Sequence, residues 1–290
     1  MMAGRLSKPG RISLSPMLSY RGKLCGDLTV ACLDENEFMV FGSGAAQEMH
    51  RRWFESHLDK FNLSYSNRSD EYHGLSIAGP NSRKVLEKIV RDDVSNEKFK
   101  FRDSRRMFVG GVPAIINRIS FTGELGYEIY VAPHYQLKLY EKLMEAGKEF
   151  NIKPFGGRAL MSMRLEKNWG AWTLDYRPDF TAKETGLDAF INWDKEFIGK
   201  ESAQKENSSN KLVPLIVETN EIDVTNNEAV LNGDQSIGYV TSGGFAHFVN
   251  KSVAFTFVDQ KNIKSENKIQ VEINGDLFNC SIIKEPLYDP

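Results

Sequence analysis

The sequence predicts an α+β protein with a small all-β unit at its C-terminal end. Three observations carry this. Through the first 200 residues, apolar positions switch between strand-like and helix-like spacing. A polar run, Gln204-Lys205-Glu206-Asn207-Ser208-Ser209-Asn210-Lys211, then breaks the composition. Beyond it the pattern is nearly all β, punctuated by the hairpin-turn dipeptides Asn232-Gly233 and Asn274-Gly275. The expected organisation is a mixed α+β region over 1–200, a linker over 201–210 and an antiparallel barrel or sandwich over 211–290.

The elements follow in order. Leu28-Thr29-Val30-Ala31-Cys32-Leu33 and Phe38-Met39-Val40-Phe41 flank a polar turn and predict a hairpin. Ala45 to Leu58 holds helix formers without Gly or Pro and predicts a helix. Leu75-Ser76-Ile77-Ala78 predicts a short strand. Pro80 then opens a helix with Val85, Leu86 and Ile89 as its buried stripe. Val112 to Phe121 and Tyr127 to Val131 predict strands. His134 to Gly147 predicts a helix burying Leu139, Tyr140, Leu143 and Met144. Gly157 to Trp169 predicts a further, well-buried helix. In the last region Ile269, Val271 and Ile273 alternate with Lys268, Gln270 and Glu272, so that strand has one wet face.

Composition removes several function classes. With 37 Lys+Arg and 39 Asp+Glu the net charge is -2, which leaves no electrostatic footprint for nucleic acid or an anionic membrane. No apolar run reaches the roughly 18 residues of a membrane span. Met1 to Arg5 runs into polar sequence, so no secretory signal is expected. Cys25, Cys32 and Cys280 cannot build a disulfide framework, and a reducing cytoplasm is the expected location.

Generic motifs do not name a chemistry. Gly42-Ser43-Gly44-Ala45-Ala46-Gln47 opens like a dinucleotide fingerprint, but Gln47 stands where a third Gly or Ala must let helix and strand approach. A tight strand-to-helix turn explains it better. Gly199-Lys200 continues into Glu201 and is no phosphate loop. His50 and His57 lie seven apart, the wrong spacing for joint metal ligation on one helix, and read as solvated. No metal site is expected.

Longer strings are more specific. Pro16-Met17-Leu18 with Gly26-Asp27-Leu28-Thr29-Val30, and Gly74-Leu75-Ser76-Ile77-Ala78-Gly79-Pro80-Asn81-Ser82, come first. Ile119-Ser120-Phe121-Thr122-Gly123-Glu124-Leu125-Gly126-Tyr127-Glu128 follows, then Phe155-Gly156-Gly157-Arg158-Ala159 through Arg164-Leu165-Glu166-Lys167. Asp175-Tyr176-Arg177-Pro178-Asp179, Phe197-Ile198-Gly199-Lys200-Glu201 and Ile237-Gly238-Tyr239-Val240-Thr241-Ser242-Gly243-Gly244 complete the series. In this order they resemble the aminomethyltransferase-like region of dimethylglycine and sarcosine dehydrogenases, which is related to the glycine-cleavage T-protein. The resemblance spans most of residues 10–288. Where the T-protein carries an Arg four residues before the Arg of Arg-Leu-Glu, this chain has Leu160, which favours the dehydrogenase-like branch.

The resemblance implies a three-lobed fold around a central tetrahydrofolate site, with the all-β region as a C-terminal antiparallel barrel. In the dehydrogenases a separate flavin half oxidises an N-methyl group to an iminium. The folate amine then takes the carbon as 5,10-methylenetetrahydrofolate. In the T-protein the carbon comes from an aminomethyl group on a lipoyl carrier. Taken alone, Gly26-Asp27 closes a turn, whereas the resemblance makes Asp27 the catalytic aspartate at the folate nitrogens. Glu128 matches the glutamate that holds the pterin, because one carboxylate can accept a neighbouring N–H and amino group together. Glu124 reads as a turn residue. Phe121 stands where relatives can carry Tyr, and packs on the ligand or in the core. Tyr176, with Trp169 and Trp172, lines the pocket or the core. Arg158 and Arg164 need partners if buried, and Asp27, Glu166 or a substrate carboxylate could each supply one.

The resemblance also sets an expectation about extent. The family's folate domain begins dozens of residues before the match at Arg11-Ile12-Ser13, and the flavin half has no counterpart here. FAD is therefore expected only on a flavin-containing partner subunit, and no oxidation from this chain alone. The alternatives are a T-protein-type aminomethyltransferase and a non-catalytic folate-binding subunit or remnant.

Overall fold

A computed structural model describes residues 1–219, 221–263 and 269–290. The first sheet is an antiparallel meander of β1 (Arg11–Leu18), β2 (Leu24–Asp34) and β3 (Glu37–Phe41). The predicted hairpin is present and longer than its β-rich core. β1 has no counterpart among the predicted strands, because Ser13, Ser15 and Pro16 interrupt its apolar pattern; Ser13 and Ser15 are nevertheless buried. Along β2 the even positions from Leu24 to Val30 are buried and the odd ones half-buried, the period-two signature of a sheet with two different faces. Helix α1 (Gln47–Leu58) lays Phe54 against Met17 and Leu28 on the even face. Asp27 and Thr29 point the other way.

The second sheet runs β4-β7-β6-β5, built from β4 (His73–Ala78), β5 (Ser104–Val109), β6 (Val112–Asn117) and β7 (Gly126–Val131). Helices α2 (Ser82–Glu87) and α3 (Gln136–Gly147) cover one face through Val85, Leu86, Leu139 and Leu143. They pack on Ile77, Ile116, Tyr127 and Ile129. Two expectations fail here. Tyr140 is exposed rather than buried, since the stripe continues through Ala146 instead. The strand expected to reach Phe121 stops at Asn117, and the loop beyond it carries Gly123 at φ 88°.

Helix α4 (Gly157–Glu166) departs from the expectation of burial along its length; only Arg164, Leu165 and Glu166 are buried. Its first turn, Arg158 included, is exposed and Leu160 to Met163 are half-buried, because the helix meets the barrel at its C-terminal end through Leu165. Short helices α5 (Ala182–Thr185) and α6 (Lys200–Lys205) follow. The latter occupies part of the stretch expected as linker. Its N-cap, Gly199, has φ 82°, and a Cβ there would lie 2.1 Å from the Ser19 carbonyl oxygen. Gly199→Ala is therefore expected to destabilise the fold by about 2–4 kcal/mol, read from the urea midpoint.

The last region closes as a barrel, resolving the barrel-or-sandwich alternative. Its strands are β8 (Asn210–Val217), β9 (Ala229–Asn232), β10 (Gln235–Ala246), β11 (Lys251–Asp259), β12 (Ile269–Ile273) and β13 (Asp276–Ile282). They run in the order β10-β11-β8-β13-β12-β9. Ile269, Val271 and Ile273 are buried, Glu272 is exposed and Gln270 half-buried. Lys268 lies outside the described residues. No helix among the described residues is long and apolar enough to cross a membrane.

Candidate functional site

The site forms between the sheets. Asp27 lies within β2, opposite Pro16 of β1, not in a turn. As a residue it is half-buried, and burial of its carboxyl lifts it from the usual carboxylate range to about 7. Tyr176 is buried, and its phenolic oxygen accepts a hydrogen bond from the Gly170 N–H at 3.2 Å. Burial first, then the charge of Asp27, hold that phenol well above its ordinary value. These two predicted residues are thus brought together.

Glu128 sits on the face of β7 turned away from α2 and α3. Its register partners are Ser76 on β4 and Asn117 on β6, both uncharged. Its Oε2 accepts a hydrogen bond from the Tyr130 hydroxyl at 2.6 Å. Burial raises the carboxyl, and that bond partly offsets the rise. The Tyr130 ring packs against Phe41 with centroids 4.4 Å apart. Phe41 pairs with Thr29, which shares the odd face of β2 with Asp27. The β2 face bearing Asp27 and the β7 face bearing Glu128 therefore look onto the same space between the sheets. Among the described residues neither carboxylate forms an ion pair with Lys or Arg.

Phe121 lies half-buried in the loop after β6, and no hydrogen bond or ring pairing among the described residues ties it to the other three. Trp172 is buried, 6.0 Å from the His50 ring between centroids. His50 is itself buried, which corrects the expectation of a solvated helix residue. Its Nε2 lies 3.0 Å from the Cys25 carbonyl oxygen, and burial lowers its basicity. A Cβ at Gly42 would come within 2.9 Å of its Nδ1, so the glycine of the would-be dinucleotide motif serves this packing.

Arg164 finds a partner that sequence reasoning did not offer. It is 1% exposed and donates to Asp175 Oδ2 at 2.5 Å. Asp175 Oδ1 accepts from Thr241 Oγ1 at 2.5 Å and Ser242 Oγ at 2.7 Å, both on β10. This buried cluster joins α4, the segment holding Tyr176 and the barrel wall. Glu166 instead accepts from the Phe248 N–H at 2.6 Å. Sequence reasoning also missed Phe41 and Tyr130. Tyr130 could have been found from its spacing, two residues after Glu128 on a strand and so on the same face.

Comparison with known proteins decides the family. Residues 1–195 match the GCVT N-terminal domain, and residues 210–289 match the glycine cleavage T-protein C-terminal barrel domain. The chain belongs to the glycine cleavage T-protein family. It is 34% identical to mitochondrial dimethylglycine dehydrogenase of Homo sapiens over 99% of this chain and 34% of that protein. It is 31% identical to an aminomethyltransferase of Bacillus mycoides over 97% of this chain and 77% of that protein. The chain thus spans about a third of the dehydrogenase relatives and about three-quarters of the aminomethyltransferases. The fold superposes on aminomethyltransferase T of the Bartonella henselae glycine cleavage system with a TM-score of 0.85 and 22% identity. That superposition covers 98% of this chain and 78% of the other. The aminomethyltransferase-like fold with its C-terminal barrel is therefore as the resemblance implied.

Proposed function

We propose that this chain is a tetrahydrofolate-dependent one-carbon transfer module. It takes a formaldehyde-level carbon from an oxidised N-methyl amine of the dimethylglycine or sarcosine type and yields 5,10-methylenetetrahydrofolate. One observation carries the reading: two interior carboxylates, Asp27 and Glu128, face a common space with no cationic partner among the described residues. Interior charges ordinarily have partners. N–H donors of a ligand satisfy both.

The residues fit the ligand. The Glu128 carboxylate has one oxygen engaged by Tyr130 and accepting capacity to spare for the adjacent N–H donors of a pterin edge. Tetrahydrofolate, when bound, supplies the nitrogens that take up the carbon. Ionised Asp27 accepts the N–H at the reacting nitrogen and offsets positive charge as it develops there. Tyr176, held neutral, walls the pocket beside Asp27, and Phe121 adds an aromatic surface from the loop after β6. No oxidation is assigned to this chain; a flavin-containing partner subunit generates the oxidised amine, and FAD stays there. The three free cysteines suit a reducing cytoplasm. The similarity to aminomethyltransferases over most of their length favours one second reading, in which a lipoyl carrier supplies the carbon.

The test is a calorimetric titration of the chain with tetrahydrofolate under anaerobic conditions. Binding is expected for the wild type and a loss of at least about tenfold for Glu128→Ala. A folded chain that takes up no tetrahydrofolate overturns the proposal. Offering bound tetrahydrofolate either a flavin-generated iminium or an aminomethyl-lipoyl carrier separates the two readings.

A further inference from the structure

We infer that Tyr130 is the positioning residue of the ligand site: it fixes Glu128 in its ionised, ligand-ready orientation. This rests on the reading of Glu128 as the residue that holds the ligand.

Three contacts carry the inference. The Tyr130 hydroxyl donates to Glu128 Oε2 at 2.6 Å, a charge-assisted bond when Glu128 is ionised. The Tyr130 ring is held from two sides. On β4, Gly74 is its register partner, and a Cβ there would lie 3.0 Å from the Tyr130 ring edge. From β3, Phe41 packs on the ring at 4.4 Å between centroids. The hydroxyl therefore comes from a ring with little freedom to turn.

That rigidity passes to Glu128. The terminal torsion of a glutamate is broad, so a carboxylate with no fixed partner samples many orientations. Here one oxygen is pinned, which narrows the orientations open to the carboxylate. The groups around Glu128 leave Tyr130 as its source of order. Ser76 on β4 and Asn117 on β6 carry no charge, and Phe41 on β3 is apolar. The phenol itself stays protonated, because burial and the neighbouring carboxylate both raise it. Tyr130 thus acts as a donor throughout the neutral range, and its bond favours the charged form of a carboxyl that burial pushes toward neutrality. Phe41 carries the same contact back to the sheet that bears Asp27.

The test uses Tyr130→Phe, which removes the hydroxyl and keeps the ring between Gly74 and Phe41. Tetrahydrofolate affinity is measured by calorimetry from pH 6 to pH 9 for the wild type, Tyr130→Phe and Glu128→Ala, with melting temperatures recorded alongside. Tyr130→Phe is expected to bind about tenfold more weakly at pH 7. Without the bond Glu128 ionises at higher pH, so the pH below which affinity falls moves up. Affinity then recovers toward pH 9. Wild-type affinity across the whole range for Tyr130→Phe, with Glu128→Ala impaired, overturns the role of Tyr130 and leaves the Glu128 reading intact. A loss that is equal at every pH and accompanied by a lowered melting temperature also overturns it, since a packing role alone produces that result. Unchanged binding by Glu128→Ala instead overturns the parent reading of the site.

Discussion

Asp27→Asn is expected to abolish carbon transfer and, at the same time, to make the protein more stable above neutral pH. Both effects have one origin. Burial lifts the Asp27 carboxyl to about 7 from an ordinary value of 3.8. The role proposed for it needs the ionised form, which accepts an N–H and offsets positive charge. Removing a group of this kind costs about 10²–10⁴-fold in rate. With a flavin-dependent partner supplying the oxidised amine, formation of 5,10-methylenetetrahydrofolate should fall by that factor, while tetrahydrofolate binding through Glu128 changes little. The wild-type rate should rise tenfold per pH unit below about 7 and level off above it, and Asp27→Asn should lose this dependence. A wild-type rate that instead falls as pH rises through about 7 would assign Asp27 the part of a proton donor and sink the base-like role.

The stability effect follows by linkage. A carboxyl whose folded value exceeds its unfolded value binds its proton more tightly in the native state. Its favourable contribution is fully present below the unfolded value of 3.8 and is lost as pH rises through about 7. The loss is on the order of 4 kcal/mol across that window. The amide introduced by Asp27→Asn would carry no such charge. Urea unfolding of the two proteins should give similar midpoints near pH 4 and a clear advantage for Asp27→Asn at pH 8. Equal midpoints at pH 8 would mean that the carboxylate finds a favourable partner when ionised. An active-site carboxylate that opposes folding is the trade expected where function needs a charge in the interior.

Much of this site was legible before the structure, and the reasons differ by residue. Asp27 and Glu128 are read from the resemblance; Tyr130 is missed, although the period of two along its strand puts it on the face of Glu128. Helices α1 and α3 follow from long stretches of helix formers. Other features depend on partners far away in the chain. His50 reads as solvated when only its spacing from His57 is weighed, yet Ala46, Trp53 and Phe54, four before and three and four after it, put it on the apolar face of α1, under β2 and against Trp172. What the local pattern leaves open is the partner on that face, the Cys25 carbonyl oxygen of β2. β1 escapes prediction because its serines break the apolar alternation, while the fold holds them inside: Ser15 Oγ accepts the Gly4 N–H at 2.8 Å. Barrel closure is decided by pairing β8 with both β11 and β13, contacts that no hairpin signal encodes. The partner of Arg164 illustrates the same limit. The sequence leaves Asp27, Glu166 and a substrate carboxylate open; the fold chose Asp175, and through it two hydroxyls more than sixty residues further on.

That last cluster leads to the largest expected loss of stability. Arg164 and Asp175 are 1% and 0% exposed, and their ion pair is the most deeply buried in the described chain. Asp175 is fully engaged: Arg164 and the Ala171 N–H meet Oδ2, while Thr241 and Ser242 meet Oδ1. Arg164 is less well served. Its Nε is buried without a partner among the described residues, and beyond Asp175 it reaches only the Trp169 carbonyl oxygen and the face of Phe255. Asp175→Ala therefore strands a guanidinium in the interior and leaves the Ser242 hydroxyl and the Ala171 N–H without their acceptor, while the Thr241 hydroxyl keeps the Phe255 carbonyl oxygen. The expected cost is about 3–5 kcal/mol, read from urea midpoints. Replacing both partners with apolar residues, Arg164→Met with Asp175→Leu, removes the stranded charge along with the pair. That double variant should recover most of the loss, since a buried ion pair contributes little net stability against a well-packed apolar substitute. What it should not recover is tetrahydrofolate binding. Asp175 precedes Tyr176 in the chain and ties that segment to β10, so the pair sets where the Tyr176 wall stands relative to Asp27. A double variant that is both stable and fully able to bind would show that the barrel wall holds Tyr176 by packing alone.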